Sequence, residues 1–212
     1  MTYTSLDHAA AAAAITAFGR KAAAAGLVSA SGGNISARLG DTPYCLVTAS
    51  GAWLEDLAVD DFAVLDVRDG TVVEGSKPPS SEYKVHTMTY AVRPDVSSVV
   101  HLHPQGAVLA RALGVETRPL TLDHFSYLGV IRYVALWPNA SDELGHAVAE
   151  AAEAGSDVIV LEHHGSVCLG ADVAMGYRRT LNLEEASRAA LFSSLGGHPM
   201  PEFPAERARA HT

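Results

Sequence analysis

The sequence predicts a layered α/β domain with helices packed on a mixed or antiparallel sheet. Three observations lead there. Runs rich in β-branched and aromatic residues, such as YCLVT (44–48), SSVVHLH (97–103) and DVIVLEHHG (157–165), are bounded by turn-forming residues and read as strands. Alanine-rich or cap-initiated stretches flank them and read as helices. The order is a helix, several strands, and then helices and strands in turn, which is not a regular strand–helix–strand series.

Residues 6–25 are expected to be helical, because alanine favours helix and Gly26 ends the stretch. Arg20 and Lys21 interrupt it, and no basic segment precedes it, so it suits neither a signal peptide nor a membrane span. SASGGNISAR (29–38) is a glycine turn leading into a short strand. YCLVT and FAVLDV (62–67) are strands, and Asp69-Gly70 before TVVEG marks a hairpin. Lys77-Pro78-Pro79-Ser80-Ser81 is a rigid approach whose serine can cap a helix over 82–92, ended by Pro94-Asp95. Then come a strand over 97–103, a short helix over 104–112, a loop over 118–129 and a strand over 131–136. An alanine-rich helix covers 141–154, and the strand 157–165 can pair with SVCLG (166–170). Asp172 can cap a long helix running to about 195.

The chain has 212 residues, enough for one domain over 1–212, with 196–212 as a flexible or interface-covering tail. Apolar residues at 48% against 18% charged exclude a disordered chain. A net charge of -9 argues against nucleic acid and anionic membranes as partners. Cys45 and Cys168 sit in apolar surroundings and read as small buried hydrophobes, in keeping with a reducing cytoplasm. No GxGxxG follows a first strand and no Walker loop is present.

The histidines carry the chemistry. In a strand, His101 and His103 face one side, so both imidazoles can reach one ion while Leu102 points into the core. His163-His164 ends the second strong strand, where neighbours face opposite sides, so one of the two is a third ligand. Three histidines with an open position suit catalytic zinc, and iron, manganese or cobalt also accept them. His86 and His124 are competing ligands; His146 and His198 look like ordinary helix and tail histidines, and His8 and His211 lie near the ends.

Glu82 falls in the first turn of the 82–92 helix, where it complements the helix dipole or faces the metal as an acid/base. The helix start, its serines and nearby Lys77, with the turns Gly32-Gly33-Asn34 and Ser50-Gly51, hold the parts of a phosphate site.

SGGNIS (31–36), VTASG (47–51), KPPSSE (77–82), RPDVSSVVHLHP (93–104) and LEHHG (161–165) together resemble the class II aldolase/adducin family, in its bacterial L-fuculose-1-phosphate aldolase branch. The resemblance spans roughly residues 5–195. It implies a three-layer α/β/α fold with a central mixed, largely antiparallel sheet, and a homotetramer with interfacial active sites. It assigns a divalent metal, zinc or else Mn2+ or Fe2+, to His101, His103 and His164 rather than His163. It makes Glu82 the acid/base and places a phosphorylated small-molecule substrate among Gly33, Asn34, Ser50, Gly51, Ser80 and Ser81. The implied reaction is retro-aldol cleavage of a short keto-sugar 1-phosphate, through an enediolate, to dihydroxyacetone phosphate and an aldehyde.

The chain departs from that branch in one place. The aldolase tyrosine contributed across the interface has no match in RPLTLDHFSYLG (118–129), where the nearest position holds Asp123. His124 and Tyr127 are the other candidates there, Tyr127 only if the loop is rearranged. GGHPMPEFPAERARAHT (196–212) gives no match to a second tyrosine. Asp123 is similar to an acid/base of the family's epimerases, which carry aspartate where this chain has Glu82. Decarboxylation of a 3-oxo sugar-acid phosphate, 4-epimerisation, dehydration and a non-enzymatic adducin-like role are the alternatives. The last predicts lost ligands, and all remain.

Overall fold

The computed structural model describes residues 3–209; His211 and the end of the 196–212 tail lie outside the described residues. Helix α1 (Ser5–Ala24) opens with a capping box between Thr4 and Asp7. Strands β1 (Asn34–Arg38), β2 (Tyr44–Thr48), β3 (Phe62–Asp66) and β4 (Val72–Gly75) follow. Then come α2 (Tyr83–Val92), β5 (Ser98–Leu102), α3 (Gln105–Ala112), α4 (Leu122–Leu128), β6 (Ile131–Val134) and α5 (Asp142–Glu153). The chain ends in β7 (Val158–Leu161), β8 (Gly165–Gly170), α6 (Val173–Leu195) and α7 (Ala205–Arg209).

The strands form one sheet in the order β4-β3-β2-β1-β5-β8-β7-β6. All neighbouring pairs are antiparallel except β6–β7. Alternation along each strand sends Ile35, Leu46, Val64 and Val100 to the face under α1 and the start of α6. Val47, Leu65, Val99 and Ile159 go to the opposite face, under α2 and α5. Val158, Val160 and Cys168 extend the first face beneath α3, α4 and α6. The result is the three-layer α/β/α arrangement that the resemblance implied. Helices cover both faces, which is why the strands read as unbroken apolar runs. Both cysteines are buried and free. Among the described residues, no helix is long and apolar enough to cross a membrane.

Four local expectations change. The strand over 157–165 stops at Leu161, and 162–164 turn the chain into β8. The strand over 131–136 ends at Val134. The loop 118–129 contains α4, capped by the Thr121 side chain accepting from the His124 N–H; seven residues carry too few turns to show a helical period. No serine caps α2: Glu82 is itself the N-cap, its side chain makes no capping bond, and Ser80 Oγ accepts the Glu82 N–H at 3.3 Å.

Candidate metal and carboxylate site

His101 is the penultimate residue of β5, paired in register with Asn34 on β1 and Val167 on β8. His103 lies just past the strand, its N–H donating to the Leu27 carbonyl at 2.9 Å. His164 closes the β7–β8 turn. Ring nitrogens of the three converge to within 4.8 Å of one another.

The tautomers favour a cation. His101 Nδ1 donates to the Ser166 carbonyl at 3.0 Å, which leaves Nε2 with its lone pair. That Nε2 lies 3.1 Å from His103 Nε2, and two nitrogens so placed need a proton or a cation between them. Ligand nitrogens at the Zn–N distance of about 2.0–2.1 Å in a tetrahedral site stand about 3.3 Å apart. Burial first, and then the neighbouring His101 imidazole, lowers the His103 imidazole to about 4 and also lowers His164. The buried Glu82 Oε1 accepts no hydrogen bond among the described residues, yet it lies 3.2 Å from His164 Nε2, with Oε2 at 3.1 Å from His101 Nε2. An orphaned carboxylate oxygen facing lone-pair nitrogens fits a divalent cation.

The choice between His163 and His164 comes from the turn rather than from strand alternation. His163 has a left-handed backbone, φ 57°, which turns its exposed ring outward. We expect His164→Ala to lose stoichiometric metal and His163→Ala to keep it, as measured by metal content per chain. Equal loss in both would remove the distinction.

Glu82 makes no capping hydrogen bond at the start of α2. Its carboxylate accepts from Asn34 Nδ2 at 3.0 Å and faces the histidines. Burial pushes its pKa up, but the His101 and His164 imidazoles and the Asn34 amide outweigh that and bring it to about 2, so it is a carboxylate at neutral pH.

His86 is not a ligand. It is buried, with Nδ1 at 2.7 Å from Ser36 Oγ and Nε2 at 2.5 Å from Asn34 Oδ1. Burial first, then the neighbouring His101 imidazole, lowers its pKa to about 3, and the Glu82 carboxylate opposes the shift. The phenol of Tyr90 stands behind Ser36 at 2.8 Å. The unfolded chain takes up a proton here near pH 6.5 and the folded chain does not. His86 therefore adds stability that is present above about pH 6.5 and is lost as pH falls toward 3, by about 1.4 kcal/mol per unit. Metal-free protein should lose stability to urea between pH 6.5 and 5, with a slope shallower by about 1.4 kcal/mol per unit in His86→Gln. Identical slopes would contradict a neutral buried His86.

Gly33, Asn34, Ser50, Gly51, Ser80 and Ser81 line one polar cleft with Glu82, His103 and His164. Asn139, just before α5, lines it too, and the sequence reading missed it because an asparagine in a turn carries no metal or acid/base signature. The cleft is less rich in backbone donors than expected. The Ser50 N–H is taken by the Pro78 carbonyl and the Ser80 N–H by the Thr48 carbonyl, both at 2.9 Å. Lys77 is also committed elsewhere, to Asp61 Oδ1 at 2.7 Å.

The profile of the class II aldolase and adducin N-terminal domain family matches residues 13–191. The chain belongs to this family. The L-fuculose phosphate aldolase of Methanocaldococcus jannaschii is 35% identical over 165 residues, covering 78% of this chain and 87% of the relative. The methylthioribulose-1-phosphate dehydratase of Enterobacter sp. is 30% identical over 174 residues, covering 76% and 84%. The crystal structure of L-fuculose-1-phosphate aldolase from Thermus thermophilus matches with a TM-score of 0.78 at 29% identity, over 90% of this chain and 97% of that one. By family, the chain is an enzyme of the class II aldolase type.

On this class II aldolase fold, the three α4 candidates do not line the cleft of their own chain. Asp123 is exposed. His124 is buried and accepts the Leu120 N–H at Nδ1, 3.2 Å away, with Nε2 3.8 Å from Glu185, so it is not a metal ligand within the chain. Tyr127 is held on α6, its hydroxyl 3.5 Å from Arg178 and its ring under that guanidinium.

Proposed function

We propose that the chain is a zinc-dependent lyase, with the metal on His101, His103 and His164, that cleaves a short keto-sugar 1-phosphate to dihydroxyacetone phosphate and an aldehyde. The observation that carries this reading is the buried Glu82 carboxylate, its Oε1 without a hydrogen bond among the described residues, against two of three converging histidines beside a hydroxyl-lined cleft. The aldolase relatives support the substrate class. When bound, zinc supplies Lewis-acid polarisation of substrate oxygens.

The side chains supply the rest. Ser50, Ser80 and Ser81 offer hydroxyl donors to the phosphate, and Gly33, Asn34 and Gly51 let it approach the backbone. Glu82 moves the proton at the carbon left electron-rich when the carbon–carbon bond breaks. The hydroxyl oxygen that becomes the aldehyde must give up its proton as the carbon–carbon bond breaks, to an acceptor that the described residues of one chain's cleft do not supply. Asp123, with His124 and Tyr127 behind it, supplies this from α4 of a neighbouring copy in a homotetramer. The exposed apolar side chains of Leu109, Leu113, Leu122, Phe192 and Leu195 support self-association around α3, α4 and α6. The 196–212 tail would help cover that contact, and Phe203 already stacks on Phe125 of α4. The whole chain acts as one such domain in a reducing cytoplasm, which suits its free cysteines.

Asp123 in place of a tyrosine, together with the dehydratase relative, favours one second reading, loss of water from a sugar phosphate. Zinc-loaded protein incubated with keto-sugar 1-phosphates, 3-oxo acid phosphates and methylthioribulose 1-phosphate separates the readings by product mass. Dihydroxyacetone phosphate plus an aldehyde supports the aldolase. A product lighter by one water assigns the dehydratase, and carbon dioxide or an isobaric product assigns a decarboxylase or an epimerase.

A further inference from the structure

We infer that His86 is a positioning residue that acts through Asn34 to hold the Glu82 carboxylate aimed at the histidine cluster. The arrangement begins in the chain itself. Glu82, His86 and Tyr90 are spaced four apart and fall on one stripe at and along α2. Asn34 and Ser36, two apart on β1, share the strand face beneath that stripe. The two sets interlock into one buried chain of hydrogen bonds that reaches Glu82.

The direction of every bond follows from its acid end. A carboxylate only accepts, so the Asn34 amide turns Nδ2 toward Glu82 Oε2. That leaves Asn34 Oδ1 facing His86, whose Nε2 must carry the hydrogen. A neutral ring then has Nδ1 as acceptor, which takes the Ser36 hydroxyl hydrogen. Ser36 Oγ in turn accepts from the Tyr90 phenol. Burial keeps His86 neutral and Tyr90 protonated, in agreement with this pattern. Reversing any one bond would set the Asn34 oxygen against the Glu82 carboxylate. His86 therefore fixes which way the amide points, and the amide fixes the carboxylate.

The role assigned to Glu82 rests on the lyase reading, but the clamp is testable without turnover. In zinc-loaded protein with 15N-labelled histidine, the His86 ring, assigned by its loss in His86→Gln, should show the neutral Nε2–H form; an Nδ1–H form would overturn the inference. In a crystal structure of His86→Leu, the 3.0 Å Asn34–Glu82 contact should be broken, whereas His86→Gln, whose amide offers a donor and an acceptor, should keep it. Zinc affinity, measured by competition with a chromophoric chelator, should fall about tenfold in His86→Leu and recover in His86→Gln, as for other groups that orient a metal-facing side chain. An intact contact with unchanged affinity in His86→Leu would overturn the inference.

Turnover of L-fuculose 1-phosphate supplies the kinetic readout. kcat should fall about tenfold to a hundredfold in His86→Leu with KM little changed. The double variant with Asn34→Ala should be no slower than Asn34→Ala alone. Additive losses would assign His86 a merely structural role. Absence of turnover in the wild type would overturn cleavage of this sugar phosphate and leave the spectroscopic and crystallographic results to decide the clamp.

Discussion

Glu82→Gln is expected to keep the fold and stoichiometric zinc while turnover falls by a factor of about 10² to 10⁴, the range for loss of a placed acid/base group. The amide preserves the shape of a side chain that is 7% exposed, so the packing around α2 and β1 should survive. It removes the charge of a carboxylate that faces two imidazoles and whose Oε1 accepts no hydrogen bond among the described residues. Steady-state kinetics and metal content on the same preparation make the test. An unchanged rate would take Glu82 out of the chemistry. Loss of zinc together with rate would make the carboxylate a ligand first.

Gly165→Ala should disable the site without touching any ligand. A Cβ on Gly165 would lie 2.5 Å from the Leu102 carbonyl oxygen, 2.7 Å from His103 Cδ2 and 3.3 Å from His101 Cε1. The first of these is backbone in the β5–β8 ladder, so strands or rings must shift. Zinc affinity is expected to fall at least about tenfold to a hundredfold, with about 1–3 kcal/mol of stability lost to overpacking. Gly155→Ala is the control. Its φ of 87° strains a side chain, but the added Cβ meets nothing within 4 Å, so it should lose stability and keep zinc. Wild-type zinc binding in Gly165→Ala would show that the two imidazoles tolerate the displacement.

Much of the fold was legible because both faces of the sheet are covered. YCLVT, FAVLD and SVVHL are mostly apolar and buried at nearly every position. The cap Asp172 marks a helix start. Helix α4 was not legible, since seven residues show no period and its stability comes from packing on α6. In the site, the i, i+2 spacing placed His101 and His103 together. Strand alternation did not single out His164, because the pair lies in a turn set by the left-handed backbone of His163. The Glu82–His86 spacing was visible in the sequence, but not the bonds joining His86 to Asn34 and Ser36, which come from a strand some fifty residues away. The closeness of Gly165 to the two rings is likewise a tertiary fact.

The most direct test of the central claim is to strip the protein of metal, titrate zinc back and follow dihydroxyacetone phosphate release from L-fuculose 1-phosphate. A metal-dependent lyase built on His101, His103 and His164 should be inactive when stripped, regain full activity at one zinc per chain, and fail to regain it in His164→Ala. Release that persists in the stripped protein, or that returns equally in His164→Ala, would contradict the assignment.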